Sequence, residues 1–276
     1  MIRRAFAVAL LFLVASPALA GSACEERPLT PRALAEASRL GVALYRVLED
    51  SGANLAILGR AGANLGDHGL AFSHAGLAVR EQGRWSVVHL LNRCASERSA
   101  LYDEGLVNFF LDTPHRYEVV VGLPTAELTA SLRRALAAGL ARRLHEPRYN
   151  MIAHPRSLEF QNSNQWLLEL MVAALAGGLD SRAAVQAHPL MESFQPDIIH
   201  VGLGERIGGG LFRANITFLD HPFADRARGE YRTVTVRSVF RWLARTGGVT
   251  RLLRLDAYHP PRVFSGAGLA AAVENL

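Results

Sequence analysis

Lysine is absent from this chain: all 30 basic residues among its 276 are arginine, set against 25 acidic residues. The arginines occur singly or in pairs such as Arg133-Arg134 and Arg142-Arg143, without the clustering and interleaved aromatics of a nucleic-acid surface. No nucleic-acid partner is expected. Aromatic residues are few, at 8%, but half of all residues are hydrophobic, enough to bury a sizeable core. Repeats and low-complexity tracts are missing, which excludes fibrous and disordered classes. Metal-binding spacings are missing too. Asp67, His68, His74 and His89 follow no HExxH pattern and no paired-cysteine spacing accompanies them, so no metal is expected. The glycines from Gly202 to Gly210 form no GxGxxG after a strong strand and read as a loop. No cofactor is implied.

Residues 1–20 carry Arg3 and Arg4, an apolar run from Ala5 to Ala15, and a small-x-small ending at Ala18-Leu19-Ala20, the pattern of a cleavable signal peptide. The apolar run is short for a permanent anchor, and no later stretch reaches the ~20 apolar residues of a membrane span. A periplasmic or secreted protein is expected, with no stable membrane anchor after cleavage. Cys24 lies close to the new N-terminus, yet Gly21-Ser22-Ala23 lacks the large aliphatic residue of a lipoprotein box. Only Cys24 and Cys94 exist, and in an oxidising compartment an even count favours a disulfide between them. Such a bond would stabilise the fold by about 4 kcal/mol in the chain-entropy model. Two unpaired thiols are the other reading.

The apolar spacing Leu34, Ala37, Leu40, Ala43, Leu44 and Leu48 predicts a helix over 31–48. Leu55-Ala56-Ile57-Leu58 reads as a buried strand, and segments 70–79 and 85–91, separated by Arg80-Glu81-Gln82-Gly83-Arg84, as a hairpin. Residues 117–121 give a further strand, rich in β-branched side chains. A helix is expected over 125–144, and an apolar, central one after Asn162-Ser163-Asn164, closed by Gly177-Gly178. Beyond it come a short helix over 181–187, a strand near 232–236 and a helix to Arg245. Asp220-His221-Pro222 reads as a turn. The fold class is α+β, an antiparallel sheet packed with helices, with a core over 21–180 and an extension over 181–276 packed on that core.

Three places concentrate groups able to do chemistry. His74 opens one strand, within Ser73-His74-Ala75-Gly76, and His89 lies on the next. Neighbouring strands run ~4.8 Å apart, so the two imidazoles can meet if the register agrees. Ser163 stands at a helix start, where unpaired N–H groups and a partial positive charge suit a nucleophile that creates an oxyanion. The bland readings stand beside these: Ser163 as an N-cap, His74 and His89 as satisfied core histidines, and Tyr149 as a packing residue.

The succession Leu55–Leu58, Ser73-His74-Ala75-Gly76, a second strand, Tyr149-Asn150 and Asn162-Ser163-Asn164-Gln165-Trp166 resembles an exported bacterial family known as a domain of unknown function, over roughly residues 30 to 245. More distantly, over about 50 to 175, it is similar to circularly permuted NlpC/P60 papain-like proteins, whose histidine strand precedes the nucleophile helix. The resemblance implies His74 as the base, His89 as the polar residue orienting it, and Tyr149-Asn150 in the place of a Tyr-Asp pair. It implies Ser163 where that family has cysteine. A serine hydroxyl cannot be held ionised as a thiol can, so Ser163 would need concerted general-base help from His74. The implied activity is hydrolysis or acyl transfer at amide or ester bonds, on a cell-wall peptide or a lipid-like ligand. The alternative is a binding or structural module that kept the cleft and lost the nucleophile.

Overall fold

The computed structural model describes residues 29–93, 96–112, 114–202, 204 and 215–276. Residues 1–20, Cys24, Cys94 and most of the 202–210 glycine stretch lie outside the described residues.

Helix α1 (Pro31–Asp50) opens on Thr30, whose hydroxyl accepts from the Ala33 amide at 3.1 Å, and on Pro31, whose fixed φ suits the first helical position. Its apolar residues fall on one stripe, so Ala37, Leu40, Leu44 and Leu48 are fully buried, each leucine contributing about 1.5–3 kcal/mol relative to an exposed one. The strands that follow are β1 (Leu55–Arg60), β2 (His74–Glu81), β3 (Arg84–Asn92), β4 (Ser99–Gly105) and β5 (Glu118–Pro124). After α2 (Ala126–Ala137) and α3 (Leu140–Arg143) comes α4 (Ser163–Ala176), then the short α5 (Arg182–Gln186) and α6 (Pro189–Glu192). The C-terminal part holds β6 (Asp197–His200), α7 (Phe223–Arg228), β7 (Glu230–Thr233), α8 (Val236–Arg245), β8 (Val249–Asp256), β9 (Arg262–Ser265) and α9 (Ala267–Glu274).

Seven strands form one antiparallel sheet in the order β4-β3-β2-β1-β5-β8-β9, and β6 and β7 make a separate pair. The strands expected at 55–58, 70–79, 85–91 and 117–121 all belong to the large sheet. Both of its faces are covered. Leu55, Ile57, Leu77 and Leu90 pack towards α2, α4, α8 and α9, whereas Ala56, Leu58, Ala78 and Val87 pack towards α1 and the 3-10 turn Asn108–Phe110. The two-sided burial explains why β1 reads as an unbroken apolar run rather than an alternation.

Several sequence expectations are corrected. The helix expected over 125–144 is two, because the chain turns left-handed at Gly139 (φ 73°), which starts α3. The strand near 232–236 ends at Thr233, and Thr235 already caps α8 in a reciprocal capping box with Ser238. Seven elements escaped the sequence reading: β4, α6, β6, α7, β8, β9 and α9. Strand β4, Ser-Ala-Leu-Tyr-Asp-Glu-Gly, lies at the sheet edge and lacks a clean apolar alternation. Strand β8, from the chain beyond residue 180, enters the large sheet beside β5.

Helix α4 is enclosed on all sides, and residues 163–173 are buried without exception. Trp166 donates its indole hydrogen to the Ala141 carbonyl at 3.0 Å. A helix so enclosed holds its first turn at a fixed place against the sheet. Glu169, in its middle, is fully buried and accepts from Gln161, Gln165, Gln186 and Arg182, the last through both Nε at 2.7 Å and Nη2 at 2.9 Å.

Candidate active site

The hairpin between β2 and β3 turns through Gln82 (φ 49°) and Gly83 (φ 76°), the two positive φ values of a type I′ turn. That turn pairs Glu81 with Arg84 and Leu77 with Val88. Continuing the register places His89 opposite Gly76, two residues from His74 on the same face, so the histidines are diagonal neighbours. Gly76 leaves the space between them free. A Cβ there would lie 2.9 Å from Val87 Cγ1 and 3.0 Å from His89 Cβ.

The imidazoles bridge that space. His74 Nε2 lies 2.9 Å from His89 Nδ1, and the rings meet edge to face at 5.2 Å. The next step repeats the geometry. Strand β4 pairs Tyr102 with His89 and Glu104 with Val87, so Glu104 is again the diagonal neighbour, and its Oε2 lies 3.3 Å from His89 Nε2. His74, His89 and Glu104 thus descend as a staircase across three adjacent strands.

At the upper end His74 Nδ1 lies 3.0 Å from the hydroxyl of Ser163, the first residue of α4. Asparagines on either side fix this residue. Asn162 is the N-cap: its Oδ1 accepts from the Gln165 amide at 2.8 Å and its Nδ2 donates to Thr233 Oγ1 at 3.0 Å. Asn164 donates to the carbonyls of Ser73 and Val234, at 3.3 and 3.2 Å, tying the helix start to the residue before His74. The N-cap reading of Ser163 is therefore corrected. Asn162 fills that role, and the serine hydroxyl turns to His74.

Tyr149 reaches the same place from a loop. Its amide donates to Glu97, and a bridge to Gln161 sets it beside the entrance of α4. Burial pushes its phenol up to about 12, partly offset by hydrogen bonding with Ser163. Asn150, next to it, faces elsewhere: its Nδ2 donates to the Thr217 carbonyl at 2.8 Å and to Asp220 at 3.1 Å. The Asp220-His221 turn forms as expected, with His221 anchored on the Ile152 carbonyl at 2.8 Å.

Both relay histidines are held neutral. Burial, then the guanidinium of Arg60, then His89 push the His74 imidazole well below its ordinary range. Burial and Arg60 bring His89 down to about 3. Arg60, at the end of β1, is buried, pairs with Asp112 and donates to the Phe109 carbonyl. The Phe109 ring packs against all three side chains, lying under Arg60 at 4.8 Å and against His89 at 5.1 Å and His74 at 5.9 Å. At Glu104 burial raises the carboxyl above its ordinary value, Arg60 opposes that, and Asp112 adds to it.

The structure brings together Ser163, His74, His89 and Tyr149, the residues singled out in the sequence, and adds Glu104 and Arg60, which were not. The available signal was the repeated interval of fifteen residues from His74 to His89 to Glu104. Among the described residues no group of three or more His, Cys, Asp and Glu is placed to hold a metal ion, and no helix is long and apolar enough to cross a membrane.

A family model described as an uncharacterized protein conserved in bacteria, DUF2145, matches residues 47–243. The chain belongs to this family. Every member of the staircase, together with Tyr149 and Ser163, falls inside the matched span. No curated protein and no solved structure matches the chain.

Proposed function

We propose that the protein is an exported hydrolase or acyltransferase of the bacterial envelope, with a papain-like core of the permuted NlpC/P60 type and Ser163 as nucleophile. The observation that carries this reading is the run of contacts from the Ser163 hydroxyl to His74 at 3.0 Å and from His74 to His89 at 2.9 Å. This is the order nucleophile, base and orienting group. Burial supports it further, because His74 stays uncharged at neutral pH with a lone pair available.

In the proposed reaction Ser163 Oγ attacks the carbonyl carbon of an amide or ester. The hydroxyl proton passes to His74 Nδ1, the new C–O bond forms, and the carbonyl electrons move to oxygen. The Ser163 amide at the start of α4 and the Tyr149 hydroxyl supply donors for that oxygen. Collapse breaks the bond to the leaving amine or alcohol, which takes the proton from His74. Water then releases the acyl group in a hydrolase, or an acceptor amine or alcohol takes it in a transferase. Peptide bonds of the cell wall and acyl groups of lipids fit this chemistry.

A second reading, a module that binds without catalysis, is favoured by one observation. Ser163 is only 2% exposed, and a covered hydroxyl meets substrate only if its surroundings open. A fluorophosphonate probe separates the two, since it labels a serine that a base activates. Labelling of the wild type that disappears in Ser163→Ala supports the hydrolase; absence of labelling in folded wild-type protein supports the binding module.

A further inference from the structure

We propose that Glu104 is a positioning residue of this site, one that fixes the order of hydrogens along His89 and His74 so that the Ser163 hydroxyl faces a bare nitrogen. The proposal rests on the hydrolase reading for its consequence but not for its geometry. A carboxylate only accepts hydrogen bonds, so the His89 nitrogen facing it, Nε2, carries the hydrogen. A neutral imidazole carries one, which leaves His89 Nδ1 bare. That nitrogen accepts from His74 Nε2 at 2.9 Å, so His74 Nδ1 is bare in turn. The Ser163 hydroxyl, 3.0 Å away, then donates to it.

The opposite order satisfies the two inner contacts equally well. In it His89 Nδ1 donates to His74 Nε2, His74 Nδ1 donates to Ser163 Oγ, and the serine hydrogen points away from any base. Nothing in the histidine pair itself chooses between the two orders. Glu104 does, because the reversed order would set a bare nitrogen against a carboxylate oxygen. The choice is transmitted only while both rings remain neutral, since an imidazolium donates from both nitrogens and erases the order. Burial and Arg60 maintain that neutrality. The staircase register supplies the path: Glu104 acts on Ser163 from two strands beyond His74 without touching it.

The test reads tautomers directly, by long-range proton–nitrogen correlation on the full chain carrying 15N-histidine. In the wild type both His74 and His89 should show the Nε2–H form. In Glu104→Leu both should move towards Nδ1–H, and fluorophosphonate labelling of Ser163 should slow on the order of 10- to 100-fold. Glu104→Gln, whose amide oxygen still accepts, should restore most of the Nε2–H signal. Glu104→Ser, too short to reach His89, gives the same readout as Glu104→Leu should that variant not fold. Unchanged His74 and His89 tautomers in a folded Glu104→Leu or Glu104→Ser protein would overturn the proposal. Tautomers that respond in a wild type that never labels leave the proposal standing and remove the nucleophile instead.

Discussion

Two buried polar systems sit on the same helix, and they are built on opposite principles. Glu169, in the middle of α4, is buried as one half of an ion pair and is saturated by donors from Gln161, Gln165, Gln186 and a bidentate Arg182. Ser163, at the start of α4, belongs to a system in which the buried imidazoles are kept uncharged. A buried ion pair becomes tolerable only when every lone pair is answered, and such a network has no proton free to move. A relay of neutral groups stores no charge, and its hydrogens can run in either of two directions. The first arrangement locks the loop at 155–161 and α5 onto the helix; the second leaves a proton available for transfer.

The sharpest way to break this contrast is to remove the proposed nucleophile or its proposed base. Ser163→Ala and His74→Ala should each reduce fluorophosphonate labelling on the order of 10⁴-fold or more while the fold persists. Labelling that survives Ser163→Ala would place the reactive serine elsewhere. Next in size is the structural system. Arg182→Ala leaves Glu169 buried without its cation, and urea denaturation should record a loss of about 3–5 kcal/mol. A loss under about 1 kcal/mol would mean that the glutamines and water suffice.

A smaller effect separates the systems by pH. Both relay histidines have folded pKa values below their ordinary 6.5, His89 at about 3, so the unfolded chain binds more protons than the folded one below pH 6.5. Their contribution is fully present above that pH and is lost as pH falls towards the folded values. Stability should decline by about 1.4 kcal/mol per pH unit for each histidine in that window. His145 and His154 are also lowered, chiefly by burial, so the comparison needs a reference. A His74→Gln, His89→Gln double variant, measured by urea denaturation at pH 7.5 and 5.5, should show the shallower dependence. Equal slopes in the two proteins would show that the relay histidines already charge in the folded state. The smallest change is Gly76→Ala. Its new methyl meets Val87 and His89, and should cost ~1 kcal/mol while disturbing the His74 to His89 contact. Histidine resonances that do not move in this variant would show that the staircase tolerates the extra carbon.

The legible parts of the site were those whose chemistry is written locally. His74 stands out because it is followed by Gly76 at the start of a strand, and Ser163 because it sits between two asparagines ahead of an apolar run. What could not be read was which of 162, 163 and 164 caps the helix, since all three residue types cap well. The answer came from partners distant in sequence, Thr233 and Val234 for Asn162 and Ser73 for Asn164, which leave only the serine facing the histidine. Glu104 was hidden because β4 is an edge strand whose side chains are half exposed, so its pattern carries no apolar period. Strands β8 and β9 were missed for a related reason: arginines at 251, 254 and 262 interrupt their apolar positions near the other edge of the sheet.

The sequence alone determined the capped start of α1, the type I′ hairpin that fixes the β2–β3 register, and the apolar run that makes α4 central. These are short-range properties, decided by φ preferences, side-chain capping and hydrophobic period. The tertiary structure decided that β4 adds a carboxylate to a histidine pair and that burial, reinforced by nearby Arg60, keeps both rings neutral. It also decided that the hydroxyl of Ser163 turns outward from its helix to an imidazole, because two flanking asparagines were claimed by strands and loops from the rest of the chain. Hydrogen bonds and Coulomb interactions act over a few ångströms in space and carry no record of separation along the chain, so only the fold could assemble them.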